Sequence, residues 1–220
     1  MTAVDLSVYG ILDPERCRST DLAVLAEQAV RGGATFLQLR NKHGSTRDMV
    51  DQARAILAAI EGSKVPLVIN DRVDVAMASG AHGVHIGQDD MAPDDVRHLL
   101  GDHALIGLTI HSVAEAGAAP VDLADYHGVG GIYATASKNN PDPPIGLNGF
   151  REISDALRAR DAGAQIVGIA GIDHGNAADV MRAGADGVAV ISCLFMADDV
   201  ETMCRELAAI VAAAAREETL

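Results

Sequence analysis

A chain of 220 residues, 49% of them hydrophobic, has the material for one large domain or two small ones with a substantial core. Its formal net charge of −14 and pI near 4.8 exclude the broad basic surface that a nucleic-acid or anionic-membrane binder needs. A small anionic substrate stays open, provided a few cations are gathered locally.

Trp is absent and aromatics make up 3%, so Ala, Val, Ile and Leu must fill the core. Cys17, Cys193 and Cys204 are odd in number and show no paired spacing, which reads as thiols in a reducing cytosol. The opening "MTAVDLSVYG" lacks a basic region followed by an apolar run, and no stretch is apolar for long enough to span a bilayer. A cytoplasmic protein without membrane contact is expected.

In chain order, strands are predicted at 6–12, 35–40, 66–70, 83–86, 104–109, 126–132, 165–170 and 187–192. Helical spacing follows each one, at 21–31, 46–61, 72–79, 93–100, 112–118, 147–161, 174–183 and 199–215. The joints repeat a phrase: "GGATFLQLR" at 32, "SGAHGVHIG" at 79, "AGADGVAVIS" at 183 and, more loosely, "LADYHGVGG" at 123. It reads as a helix, a glycine just past its end, then a buried strand. Dividing 220 residues by eight units leaves about 27 each, which suits a compact (β/α)8 TIM barrel in one domain, 1–220. A doubly wound sheet would leave two or three units unexplained. The longest irregular stretch, "ATASKNNPDPPIG" at 134–146, is expected to be an active-site lid.

Such barrels do chemistry where strands end and loops begin. Gln38, Arg40 and Lys42 close the second strand, spaced two apart and so on one face, with Leu37 and Leu39 on the other. The third strand runs "PLVIN" into Asp71; the fourth, "GVHIGQDD", carries His85, Gln88, Asp89 and Asp90; the fifth ends at Thr109. The sixth leads to Thr135, Ser137 and Lys138, the seventh ends "GIAGI", and the eighth ends at Ile191 and Ser192. Each has a plainer reading. Asn70 or Asp71 would cap the next helix, Asp89 and Asp90 would form a solvated turn before Pro93, and Arg40 and Lys42 would be surface charges. His82 and His85 invite zinc, but three apart on a strand they face opposite ways, with no Cys cluster to help. His43, His98 and His103 read as solvent-facing.

Taken together these residues say more. Two carboxylates from adjacent strand ends, Asp71 and Asp90, suit Mg²⁺, which takes oxygen ligands and completes its shell with water and substrate phosphates. Arg40, Lys42 and Lys138 could surround the same anion. A second anion site is suggested after the last two strands, where Gly171 permits close backbone approach and Ile191–Ser192 offer N–H groups. The pattern reads as a diphosphate at strands 2 to 4 and a monophosphate near strands 7 and 8.

"QLRNK", "INDRVDVA", "GVHIGQDD", "GVGGIYATASK", "PPIGL", "GIAGI" and "GADGVAVIS" occur in order and spacing that resemble the thiamine-phosphate synthase (thiamine-phosphate pyrophosphorylase) family, over about residues 8 to 195. The resemblance implies a transferase of thiamine biosynthesis. It would join 4-amino-2-methyl-5-(diphosphooxymethyl)pyrimidine to 4-methyl-5-(2-phosphooxyethyl)thiazole, or its carboxylated form, giving thiamine phosphate and diphosphate. It implies that Gln38, Arg40, Lys42, Asn70, Thr109 and Lys138 hold the pyrimidine diphosphate, and that Asp71 and Asp90 carry Mg²⁺. It implies that Thr135, Ala136, Ser137, Gly171, Ile191 and Ser192 hold the thiazole phosphate. Thr109 stands where the family usually has Ser, Ser137 where Thr is common, and Ala170 where many members have a second Gly.

The chemistry expected is dissociative: diphosphate leaves, the amino group feeds electrons to the benzylic-type cation, and the thiazole nitrogen attacks. Arg40, Lys42, Lys138 and Thr109 would act on that step. No side-chain nucleophile is required, and the sequence suggests no Ser–His–Asp or Cys–His pairing. There are three rivals: a thiazole tautomerase of similar architecture, with His111 as proton shuttle, a non-catalytic sensor of thiamine phosphates, and a sugar-phosphate epimerase, which would leave the paired Asp and "QLRNK" unexplained. The partners expected are the two phosphorylated small molecules, not nucleic acid or membrane, with association into a homo-oligomer left open.

Overall fold

The computed structural model describes residues 4–19, 21–135 and 143–217. Eight parallel strands close in sequence order: β1 (Val8–Leu12), β2 (Phe36–Leu39), β3 (Leu67–Asn70), β4 (Gly83–Ile86), β5 (Leu105–Ile110), β6 (Tyr126–Val129), β7 (Ile166–Ile169) and β8 (Gly187–Val190). The closing pair, β8 with β1, matches Tyr9 to Ala189. The chain is thus a single-domain (β/α)8 barrel. Around it run α1 (Leu22–Gly32), α2 (Thr46–Ala59), α3 (Val73–Ser79), α4 (Pro93–Leu100), α5 (Val113–Ala118), α6 (Gly146–Arg160), α7 (Ala177–Arg182), α8 (Ser192–Phe195) and α9 (Val200–Glu217).

The repeated helix–glycine–strand joint is realised. Gly33, Gly80 and Gly184 all take positive φ at or just past a helix end, where a Cβ would be strained. Helix starts follow local chemistry too: the Asp21 carboxylate accepts from Val24 N–H, and the Ser45 hydroxyl from Asp48 N–H.

Strand alternation divides the core into two shells. Outward residues such as Leu37, Leu39, Val84 and Ile106 pack with the helices. Inward residues, among them Tyr9, Phe36, Val68, Tyr126 and Val167, form a smaller cluster inside the barrel. At about 25 cal/mol per Å² the outer shell is the larger source of stability, because it buries whole helix faces.

Three differences from the expected elements matter. The last strand stops at Val190 rather than 192, because the chain turns at once into the short helix α8, whose Leu194 and Phe195 are fully buried. Most of the expected lid, including Ala136, Ser137 and Lys138, lies outside the described residues. Asn70 and Asp71 do not cap α3: Arg72 takes that position, without a side-chain cap.

Candidate active site

A cavity of about 610 Å³ opens at the C-terminal ends of the strands. Gln38, Arg40, Lys42, Asn70, Asp71, Asp90 and Thr109 line it, as do Thr135, Gly171, Ile191 and Ser192. Every expected site residue that is described therefore faces one space. Gln88 and Asp89 do not line it; Gln88 instead donates from Nε2 to the Thr109 carbonyl (2.7 Å) and braces the rim.

The β2–β4 side is built from charge. Lys42 Nζ donates to Asp71 Oδ2. The carboxyl of Asp90 is within hydrogen-bonding reach of that of Asp71, and its Oδ2 accepts from Gly87 N–H (2.7 Å). Desolvation and then the neighbouring Asp71 charge hold the Asp90 carboxyl above its ordinary range, with Gly87 N–H and Lys42 opposing them. Asp90 is exposed in the turn after β4, as the plainer reading has it, but its carboxyl is turned toward the cavity. Asp71 itself sits at φ 60, an angle Asp tolerates better than most residues, and its N–H donates to the His85 carbonyl (2.8 Å).

Paired carboxylates this close repel unless one takes up a proton or a cation lies between them. Two hard oxygen donors beside a cation-rich rim fit Mg²⁺, which needs few protein ligands. No group of three or more His, Cys, Asp or Glu suited to a metal occurs among the described residues. His82 is exposed while His85 points into the barrel, the opposite placement expected, so they form no zinc pair.

Arg40 is not a loose surface charge. Its Nη1 donates to Oδ2 of Asp13, which is 2% exposed at the end of β1. Asp13 was not singled out from the sequence. The signal was there: Tyr9, Ile11 and Asp13 share strand parity, so an inward face ends in a carboxylate.

The β7–β8 side is built from backbone. Ala170 and Gly171 follow one another at φ 85 and φ 69. A Cβ on Gly171 would come within 2.6 Å of the Ala134 carbonyl oxygen, so glycine is required there by space as well as angle. Tyr133 N–H donates to the Ala170 carbonyl (3.1 Å), and Asn176 Nδ2 to that of Gly171 (2.9 Å). Ala170, where many members of the resembled family have Gly, adopts the left-handed angle all the same. Asp173 also lines this side, with Oδ1 accepting from Gly175 N–H (2.8 Å).

The fold brings one Cys–His pair together that the sequence does not suggest. Cys193 Sγ lies 3.3 Å from His174 Nδ1, and His174 Nε2 lies 2.8 Å from the Met203 carbonyl. The residues are 19 apart in sequence and meet only through the fold. The carbonyl can only accept, so Nε2 carries the proton and Nδ1 accepts from the thiol. Burial pushes the Cys193 thiol up to about 11. It stays protonated and is no activated nucleophile.

His111 lines the cavity, with Nδ1 3.5 Å from Glu115 Oε2.

The chain matches the family described as "Thiamine monophosphate synthase" over residues 8–194. It is 46% identical over 214 residues to the thiamine-phosphate synthase of Agrobacterium fabrum, covering 97% of each chain. The thiamine-phosphate synthase of Chloroflexus aurantiacus is also 46% identical, over 208 residues and 94% of each chain. Among solved structures, the thiamine phosphate pyrophosphorylase of Pyrococcus furiosus superposes with a TM-score of 0.82 at 32% identity, over 96% of this chain and 97% of that one. Tryptophan synthase of Mycobacterium tuberculosis, at 15% identity and a TM-score of 0.69, shares the fold alone, over 94% of this chain and 93% of that one. The chain belongs to the thiamine monophosphate synthase family.

Proposed function

We propose that the protein is a transferase that joins 4-amino-2-methyl-5-(diphosphooxymethyl)pyrimidine to a thiazole phosphate, releasing diphosphate and forming thiamine phosphate. The observation that carries this reading is the meeting of Asp71, Asp90, Arg40 and Lys42 on one side of a cavity whose other side is a strained backbone turn. The first side suits a diphosphate, the second a monophosphate.

In this reading Arg40, aimed by Asp13, and Lys42 bind the departing diphosphate and stabilise the charge it gains. Asp71 and Asp90 would hold Mg²⁺, which when bound neutralises part of that charge. Gln38 and Thr109 orient the pyrimidine, with Asn70 beside the diphosphate. Gly171, Ile191, Ser192 and Thr135 position the thiazole phosphate so that the ring nitrogen faces the methylene carbon. Lys138, Ala136 and Ser137 take their roles, at the diphosphate and the thiazole phosphate, from the family resemblance alone. The C–O bond breaks heterolytically, its electron pair leaving on the diphosphate. The 4-amino group supplies electron density to the carbon left behind, and the thiazole nitrogen then donates its pair to that carbon.

The test is to supply both purified substrates and measure thiamine phosphate and diphosphate, which should appear in equal amounts. A parallel reaction with the thiazole carboxylate phosphate alone examines the role of His111 as a proton shuttle. Isomerisation there, without condensation in the first reaction, would replace this reading with a tautomerase. Binding of both substrates with no product would leave a sensor.

A further inference from the structure

Along the cavity floor runs a chain of side-chain hydrogen bonds that joins Gln38 to Thr109. Gln38 Nε2 donates to the Tyr9 hydroxyl. The Tyr9 and Tyr126 hydroxyls are 2.9 Å apart. Tyr126 Oη lies 3.0 Å from His85 Nδ1, and His85 Nε2 lies 2.8 Å from Thr109 Oγ1. The chain thus crosses the barrel from β2 through β1, β6 and β4 to β5. Gln38 and Thr109 at its ends line the cavity, Tyr9 and His85 reach its floor although they are almost wholly buried, and Tyr126 lies below them.

The donor–acceptor order fixes a direction. An amide nitrogen only donates, so the Tyr9 oxygen accepts from Gln38 and the Tyr9 proton must go to Tyr126. The Tyr126 proton then goes to His85 Nδ1, which leaves the ring proton on Nε2, donated to Thr109. In the reverse order the Tyr9 proton would face the Gln38 amide, itself a donor. Two outputs follow at the floor: the Gln38 carbonyl oxygen is held as an acceptor, and the Thr109 hydroxyl proton is turned away from His85.

The barrel makes room for this chain. A Cβ on Gly107 would sit 2.2 Å from Tyr126 Cζ and 2.4 Å from His85 Nδ1, and one on Gly128 would sit 3.0 Å from His85 Cε1. Phe36 holds the two tyrosines edge-on, its ring centroid 4.5 Å from that of Tyr9 and 5.2 Å from that of Tyr126.

We propose that Tyr9, Tyr126 and His85 form a one-way hydrogen-bond relay that aims the Gln38 carbonyl oxygen at the amino group of the substrate pyrimidine and turns the Thr109 hydroxyl proton toward the ligand. They are positioning residues, acting through Gln38 and Thr109. The inference rests on the pyrimidine diphosphate reading above. An acceptor on the amine N–H also favours the electron release that cation formation demands.

The test pairs the relay with the ligand. Affinities of the pyrimidine diphosphate and of its desamino counterpart, with hydrogen in place of the amino group, are measured by calorimetry for the wild-type chain, Tyr9→Phe and Tyr126→Phe. The wild type should prefer the amino ligand by about threefold to tenfold, the worth of one neutral hydrogen bond. In either folded variant the preference should fall to near unity, with affinity for inorganic diphosphate and Mg²⁺ unchanged. A preference that survives in a folded variant overturns the relay alone. Failure of the wild type to bind either ligand overturns both the relay and the function beneath it. Nitrogen NMR of the wild-type protein gives a readout independent of the variants: Nε2 of His85 should carry the proton, and the opposite tautomer refutes the direction.

Discussion

The two sides of the cavity mouth reach the same end by different means. On the β2–β4 side, an anion would meet side-chain charge: Arg40 braced by Asp13, Lys42 paired with Asp71, and Asp90 pressed against Asp71. On the β7–β8 side, it would meet backbone: consecutive left-handed residues at Ala170 and Gly171, pinned by Tyr133 N–H and Asn176. Side-chain sites of the first kind are tuned by charge, and substitution there should act on chemistry. Backbone sites of the second kind are tuned by angle, and substitution there should act on stability first.

The largest expected effect breaks the charged side. Asp90→Asn should lower diphosphate release by about a hundredfold or more, since a metal's contribution to charge stabilisation is several kcal/mol. Its melting temperature should stay near the wild-type value, because Asp90 is exposed. Near-normal turnover in a folded variant would remove Asp90 from the diphosphate site.

Asp13→Asn comes next and asks whether bracing matters. The buried carboxylate is lost while Arg40 stays, and a charged hydrogen bond of this kind contributes about 1.5–3 kcal/mol. Turnover should fall with a raised KM for the pyrimidine diphosphate, and the chain should melt several degrees earlier. A KM that does not move would mean that Arg40 finds its place without Asp13.

The backbone side is tested by Ala170→Gly. A non-glycine residue at φ 85 costs about 1–2 kcal/mol, partly offset by the greater freedom of glycine in the unfolded chain. The variant should gain about 0.5 kcal/mol in urea unfolding with little change in turnover. A loss of stability would mean that the left-handed angle carries no strain.

The smallest effect lies outside both sides. His127 on β6 faces the helices, 2% exposed, and neither ring nitrogen has a partner. Desolvation lowers its pKa in the folded chain, against a weaker opposing pull from the nearby Gln165 backbone and Asp161. The unfolded chain therefore takes up the proton first as pH falls below about 6.5, and stability declines from there down to the folded pKa. His127→Leu should flatten this decline, raising the melting temperature at pH 5.5 more than at pH 7.5. Equal shifts at both values would exclude the histidine as the cause.

The same contrast explains what could be read from the sequence. The barrel was legible because helix, glycine and strand recur with fixed order, and strand parity placed Gln38, Arg40 and Lys42 together. The charged side was legible because its residues are rare in a core. The relay was not: Tyr9 and Tyr126 look like ordinary aromatic filling, and His85 like a polar strand end, until their hydroxyls and ring nitrogens meet across 117 and 41 residues of chain. Cys193 and His174 escaped for the same reason. Nor does composition reveal that Ala170 takes a positive φ, since alanine has no local preference for that angle.

The central claim is that a cation-lined rim draws off diphosphate and leaves the pyrimidine carbon for the thiazole nitrogen. Rapid-quench single turnover with both substrates, in Mg²⁺ and again in excess chelator, tests it most directly. The account predicts thiamine phosphate matched by diphosphate in Mg²⁺ and a collapse of both in chelator. Equal rates in the two buffers, or diphosphate release that waits on the nucleophilicity of the thiazole, would contradict it.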